Sequence, residues 1–305
     1  MSNQPSAGQP VVQLSVLILT RNEEQNLEDC LRSVAGWCTD IHIVDSLSTD
    51  RTLDIAARHG AKIRQHAFEG HTKQRSWALR NLPFQNTWVF ALDADHRVMP
   101  ELQQELRQIF ANPPNDVDGF FVKRRQIFRG RWIRFGGYYP KYQLKIFKHA
   151  MAYLDDHEFD YRYYVPGKTG KLKHDILEAN QNEWRISFFV EKHNKFATEQ
   201  AIEEIKRKNG ELKYLVKVSF FGNPDQRILW LKIRWNSLPL FLRPFLLFSY
   251  RYFLCWGFLD GKEGFIFHFL QSFWFRLLVD IRREELQAEW KQPPVEITAS
   301  GDALQ

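Results

Sequence analysis

Cysteine is nearly missing from this chain: Cys30, Cys38 and Cys255 are the three in 305 residues. Their spacing makes no zinc site and no paired framework, which excludes a disulfide-stapled scaffold and points to a reducing, cytosolic compartment. Residues 1–12 are polar and lack the apolar stretch of a secretory signal, so secretion is not expected. No internal repeat is visible, which excludes a solenoid. No zinc finger or RNP-like motif accompanies the net charge of +6, so no nucleic-acid partner is expected. Long uncharged apolar runs are also missing. Leu238–Leu259 is broken by Arg243, Arg251 and two prolines, and Phe265–Ile281 by His268, Gln271, Arg276 and Asp280. A spanning helix needs about 20 largely uncharged residues, and a central arginine costs on the order of 3 kcal/mol on insertion scales. Neither stretch meets that requirement.

What the chain has in excess is aromatic: 15%, with 25 Phe and 10 Trp, crowded into the last third. Trp, Tyr and Phe interleaved with Arg and Lys over 228–281 predict helices lying in a membrane interface. Lys206, Arg207, Lys208, Lys213, Lys217, Arg227, Lys232 and Arg234, just before and within this stretch, favour anionic lipid. A packed helical subdomain or a dimer interface is the alternative reading. The basic balance also suits phosphates.

The first 110 residues alternate. Apolar runs at Gln13–Leu19, Ile41–Val44, Ala61–Gln65 and Thr87–Leu92 read as buried strands, and helical patterns follow Thr20–Glu24, Asp50 and Gly70, with a fourth over Pro100–Phe110. This rhythm predicts an α/β fold with an open, mostly parallel, Rossmann-like sheet and helices on both faces. Ligands of such sheets bind beyond the carboxyl ends of the strands. Three polar turns fall there: Thr20–Glu23, Asp45–Asp50 and Asp93-Ala94-Asp95. Two carboxylates one residue apart, delivered by a buried strand, suit Mg²⁺ or Mn²⁺, which take few carboxylates plus substrate phosphates.

Leu17-Ile18-Leu19-Thr20-Arg21-Asn22-Glu23, then Ile43-Val44-Asp45-Ser46-Leu47-Ser48-Thr49-Asp50-Arg51-Thr52, then Leu92-Asp93-Ala94-Asp95, resemble the family 2 glycosyltransferases of the GT-A fold over roughly residues 14–180. Arg131–Pro140, Lys192–Ala197 and Leu238–Phe245 are similar to the bacterial subgroup that builds lipopolysaccharide core or exopolysaccharide. The resemblance implies inverting transfer of a sugar from a UDP- or GDP-linked donor to a lipid-linked or lipopolysaccharide-type acceptor. It makes Asp95 a direct ligand of Mn²⁺ or Mg²⁺ and sets Asp93 near ribose and metal. Asp45 would accept from nucleobase or ribose, and Thr20, Asn22 and Glu23 would line the nucleotide. Lys73 and Arg75, on the helix after Gly70, would reach the same phosphates. His174 matches a late histidine ligand of such enzymes. The base that takes the acceptor proton would lie in Asp155–Arg162, with Asp160, then Glu158, then Asp156 as candidates; the subgroup's usual valine-histidine-glutamate pattern is not present there in that form. Lys192-His193-Asn194 is a further candidate for touching the acceptor.

The expected organisation is a disordered N-terminus (1–12), a catalytic domain (13–180), a connecting helical segment (181–225), a membrane-interface helical region (226–290) and a disordered tail (291–305). The expected location is the cytoplasmic face of a bacterial inner membrane, peripheral or monotopic. Transfer to a polyprenyl phosphate, or a non-catalytic peripheral protein on the same scaffold, are the rival functions; intact Asp45, Asp93 and Asp95 weigh against the latter.

Overall fold

A computed structural model of the chain describes residues 11–154, 161–212 and 217–289. The alternation is as expected: β1 (Ser15–Thr20), α1 (Leu27–Val34), β2 (Asp40–Asp45), α2 (Thr52–Arg58), β3 (Lys62–Gln65), α3 (His71–Asn81) and β4 (Trp88–Asp93). Then come β5 (His96–Val98), α4 (Pro100–Ala111), β6 (Gly119–Phe128), β7 (Arg131–Ile133), β8 (Lys141–Lys148), β9 (Tyr153–Leu154), β10 (Tyr163–Tyr164) and β11 (Thr169–Ala179). The rest is helical: α5 (Ile186–Lys208), α6 (Pro224–Asn236), α7 (Leu242–Ser249), α8 (Gly261–His268) and α9 (Phe275–Glu289).

The main sheet runs β3-β2-β1-β4-β8-β6-β11-β5, with β7 on β6. β3, β2, β1 and β4 are parallel, as predicted. Beyond β4 the sheet turns mixed: β8 is antiparallel to β4 and β6, and β5 is antiparallel to β11. β6 and β11 are again parallel, so the "mostly parallel" expectation holds for the first four strands and for this one later pair, and the sheet as a whole is mixed. Helical crossovers link the first four strands, whereas short returns such as β6 to β8 can only close antiparallel. The whole is the expected GT-A arrangement of a mixed sheet with flanking helices.

Both faces of the sheet are covered, which explains strands apolar at nearly every position. Val16, Ile18, Phe90, Val122 and Ile146 face α1 and α4, where Leu27, Leu31, Leu102 and Leu106 are fully buried. Leu17, Val44, Val89, Phe121 and Phe147 point the other way, toward Ala78 of α3 and Tyr163. α4 starts on Pro100, whose fixed φ suits a first helical position, and buries Leu102, Leu106 and Phe110 at a spacing of four.

α5 ties the sheet to the C-terminal helices. Its Phe189 packs with Phe128, Ile133, Tyr138 and Phe267. Its Ala197 and Ala201 meet Phe275 and Val279 of α9, small residues admitting a close helix approach. The loop from Arg134 to Pro140 is pinned to the same helices: Asp260 accepts from the backbone N–H groups of Arg134 (3.1 Å) and Phe135 (2.9 Å), and Gly136 donates to the Cys255 carbonyl. Gly136 has φ +69° and sits so close to His268 that a Cβ would fall 2.0 Å from its ring, so glycine is required twice over there.

Candidate active site

The parallel register brings the three predicted turns together. Thr20 pairs with Asp45, and Leu19 with Asp93, so β1, β2 and β4 end side by side. Asp45 is fully buried, and the chain itself occupies its oxygens. Thr20 Oγ1 (2.8 Å), the Ser48 hydroxyl (2.5 Å) and the Ser48 N–H (2.8 Å) all donate to it. Asp45 thereby braces the turns that follow β1 and β2. Asn22 extends the brace: its N–H donates to Ser48 Oγ, and its Oδ1 accepts from the Thr49 N–H, both at 2.8 Å. Its left-handed backbone (φ 55°), tolerable for asparagine, turns the chain to make both contacts.

The two aspartates of the triplet have opposite surroundings. Asp93 accepts from Arg75 Nη2 at 2.7 Å, from Lys145 Nζ at 2.8 Å and from the Tyr161 hydroxyl at 3.2 Å. Burial alone would push its carboxyl up, but Lys145, His96 and Arg75 outweigh burial and hold it well below the usual carboxylate range. Asp95 has no cation bonded to it among the described residues, and Lys192 acts on it from a distance. Asn180 Nδ2 donates to it at 3.2 Å, while burial and then the neighbouring Glu178 raise its pKa. Glu23 behaves alike: burial, then Asp95, lift it to about 7, against a 2.8 Å hydrogen bond from Asn26.

A ring of groups fixes this acidic pair. His96 Nδ1 accepts from the Asp93 N–H at 3.0 Å, which leaves the proton on Nε2 to donate to Glu178 at 3.2 Å. Arg124 also donates to Glu178, at 2.5 Å, and this cation overcomes burial to keep Glu178 ionised. Asn26 Oδ1 accepts from the Gln181 N–H at 2.8 Å, stapling α1 to the end of β11. Lys192 of α5 reaches in and donates to Glu183 at 3.0 Å. A cavity of about 190 Å³ opens beside Asp93, lined among others by Arg124, Lys145, Tyr161, Arg162 and Asp225.

Several expected site residues lie elsewhere. Lys73 points to solvent and its nearest acid is Glu69, because it sits two residues from the inward-facing Arg75 on a helix. His174 is half-exposed on a bulge of β11, its Nδ1 bonded to Glu105 of α4 at 2.9 Å. From the end of β11, the residues that act on Asp95 are Glu178 and Asn180. His193 is core: its ring stacks on Phe189 at 3.8 Å and its Nδ1 donates to the Phe189 carbonyl. Asp156, Glu158 and Asp160 lie outside the described residues. Sequence reading missed Lys145, Tyr161, Glu178 and Asn180. The alternating apolar and basic pattern of β8 was a usable signal for Lys145; no local signal marks Glu178, 85 residues after Asp93.

Among the described residues, no cluster of three or more His, Cys, Asp or Glu forms a ready-made metal cage. The donor chemistry nevertheless fits a cation shared with substrate phosphates. Asp95 and Glu23 are half-buried carboxylates with no cation bonded to them among the described residues, whereas Asp93 is already paired with Arg75 and Lys145.

Residues 15–165, just under half of the chain, match the family described as glycosyl transferase family 2. An uncharacterized glycosyltransferase of Rickettsia bellii (strain RML369-C) is 36% identical over 103 residues, covering 34% of this chain and 34% of that protein. Another, of Rickettsia conorii (strain Malish 7), is 37% identical over 103 residues, 34% of this chain and 36% of that one. The matched stretch thus spans about a third of the length of these curated relatives. Among solved structures, S. aureus TarS 1-349 in complex with UDP-GlcNAc aligns over 91% of this chain and 92% of its own, at 15% identity and a TM-score of 0.44.

Proposed function

We propose that this chain transfers a sugar, with inversion, from a nucleotide-diphosphate donor to a lipid-linked envelope glycan. The observation that carries the reading is the convergence of Thr20, Asp45, Asp93 and Asp95 at the carboxyl ends of β1, β2 and β4, within the segment that matches the family 2 domain. The nucleotide lies against the turn braced by Asn22, Asp45 and Ser48. Its diphosphate points toward the triplet. Asp95, with Glu23 beside it, holds a divalent cation, Mn²⁺ or Mg²⁺, which when bound neutralises charge on the departing diphosphate. Arg75 and Lys145 hold Asp93 in one geometry, so the site is set before substrate arrives.

The acceptor enters the cavity beside Asp93. Its lining sets Arg124, Lys141, Lys145 and Arg162 against Asp93 and Asp225, a positive balance that suits an acceptor carrying negative charge. Transfer to a polyprenyl phosphate is the second reading this lining supports. The general base is one of Asp160, Glu158 and Asp156, in the segment next to Tyr161, which itself contacts Asp93. The similarity of Arg131–Pro140, Lys192–Ala197 and Leu238–Phe245 to lipopolysaccharide-core enzymes supports the glycan acceptor. The free thiols of Cys30, Cys38 and Cys255 fit a cytoplasmic location.

Nucleotide release from a panel of UDP- and GDP-sugars, with Mn²⁺, Mg²⁺ or chelator, tests the reading. Turnover that needs the cation and is lost in Asp95→Asn is expected. Binding of no nucleotide sugar at all, with the protein folded, overturns it. Defined acceptors then separate a glycan from a polyprenyl phosphate.

A further inference from the structure

The C-terminal helices are built inside out. Their charges are inside: Arg243 is 1% exposed and Asp280 fully buried. Arg243 Nε donates to Asp280 at 2.7 Å and its Nη2 to Glu204 at 2.7 Å, and Arg283 reaches the same Glu204 at 3.2 Å. Their apolar groups are outside: Leu254 is 74% exposed, Trp256 60% and Phe253 57%, with Phe245, Tyr250 and Phe258 similarly open. A water-facing surface of this kind costs free energy roughly in proportion to its apolar area, about 25 cal/mol per Å², so it marks a surface built for an apolar environment.

The open rings make one surface. Phe245 touches Phe273, and Phe273 and Phe248 meet Phe269. Phe265 in turn links Phe269 to Tyr252, which contacts Phe258. At the rim, Trp256 is held in the left-handed region (φ 59°), a strained conformation for a bulky residue, and this turn presents its indole outward. Arg243 and Asp280, which a membrane surface would reject, are satisfied by each other beneath the rings.

Charge selects among possible occupants. Besides the buried, paired Arg243, the chain from Gln226 to Leu259 carries Arg227, Lys232, Arg234 and Arg251 and no acidic residue. Arg227 and Arg234 are exposed. Aromatic rings and leucines in an acid-free, cation-bearing stretch suit the headgroup region of an anionic bilayer. Gly257–Ala288 is long and apolar enough to cross a bilayer. Its second half is instead committed to α5 through Phe275 and Val279, so one side of the helix is covered by protein.

We propose that the face formed by Phe245, Tyr250, Phe253, Leu254, Trp256 and Phe258 inserts into the surface of an anionic lipid bilayer, without crossing it. This binding is independent of donor and acceptor. The full chain is expected to sediment with phosphatidylcholine vesicles containing phosphatidylglycerol, and more weakly with phosphatidylcholine alone. The triple change Phe253→Ser, Leu254→Ser, Trp256→Ser is expected to lower partitioning roughly tenfold or more, with an unchanged circular dichroism spectrum. Should that variant misfold, Trp256→Phe serves: brominated lipid should quench wild-type tryptophan emission and quench the variant less. Wild-type protein that stays in the supernatant overturns the proposal, as does a folded triple variant that sediments like wild type. A stable dimer that hides the face from lipid does so too, and assigns it to a second copy.

Discussion

Arg75 and Asp93, eighteen residues apart, form a partly buried ion pair at 2.7 Å, and the guanidinium lies over the Tyr161 ring at 3.5 Å. Asp95, two residues on, has no cation bonded to it among the described residues. Burial, then Glu178, outweigh the pull of His96 and Lys192 and raise its pKa, and Glu23 is a further acid acting on it. The two aspartates therefore differ in what they do for the fold. Asp93→Asn leaves Arg75 and Lys145 facing an amide and should cost about 3 kcal/mol of stability. Asp95→Asn removes a charge the site disfavours and should leave the melting temperature unchanged or raised, while donor turnover falls roughly 100-fold or more. Thermal melts of the two variants side by side check this; equal destabilisation would refute the division.

Arg75 and Lys73 face opposite ways on α3. Arg75→Ala is expected to reduce turnover roughly 100-fold, since it removes both the Asp93 partner and the cation stacked on Tyr161. Lys73→Ala should leave steady-state constants within about twofold, because its weak pair with Glu69 is solvated. Kinetics of the two variants on one donor sugar decide it.

His193 makes stability depend on pH. Burial, the largest cause, lowers its pKa from 6.5 to about 4, against the pull of its Phe189 hydrogen bond. The unfolded imidazole takes up a proton at higher pH than the folded one. Its contribution is therefore complete above about pH 6.5 and is lost as pH falls toward 4, by up to about 3 kcal/mol. His193→Phe keeps a ring against Phe189 and should lose less stability than wild type over that interval. Melting temperatures of both proteins from pH 7 to 4 should diverge in that sense.

Gly136 joins the catalytic sheet to the C-terminal helices. Gly136→Ala forces a left-handed alanine into the space of the buried His268 ring and should destabilise by about 2–4 kcal/mol. Gly137→Ala, also left-handed but with nothing within 4 Å of a Cβ, should cost less. Urea midpoints of the pair separate crowding from backbone strain.

The first four strands and their helices were legible because each is a local pattern. An apolar run, a polar turn and an amphipathic helix repeat three times, and the register of a parallel sheet then forces Thr20, Asp45 and Asp93 to one edge. The aromatic excess likewise announced an unusual C-terminal third. Tertiary structure alone decided which charges meet. Lys145 reaches Asp93 because β8 lies antiparallel on β4, and Glu178 reaches His96 because β5 turns back along β11. The packing of α4 on β11 sets His174 against Glu105. The placement of charge in the C-terminal helices was equally beyond the sequence, which shows that Arg243 and Asp280 interrupt apolar stretches. It took the fold to bring the two together and turn the rings outward. Local propensity depends on neighbours along the chain, whereas a pKa, a buried ion pair or an exposed face depends on neighbours in space.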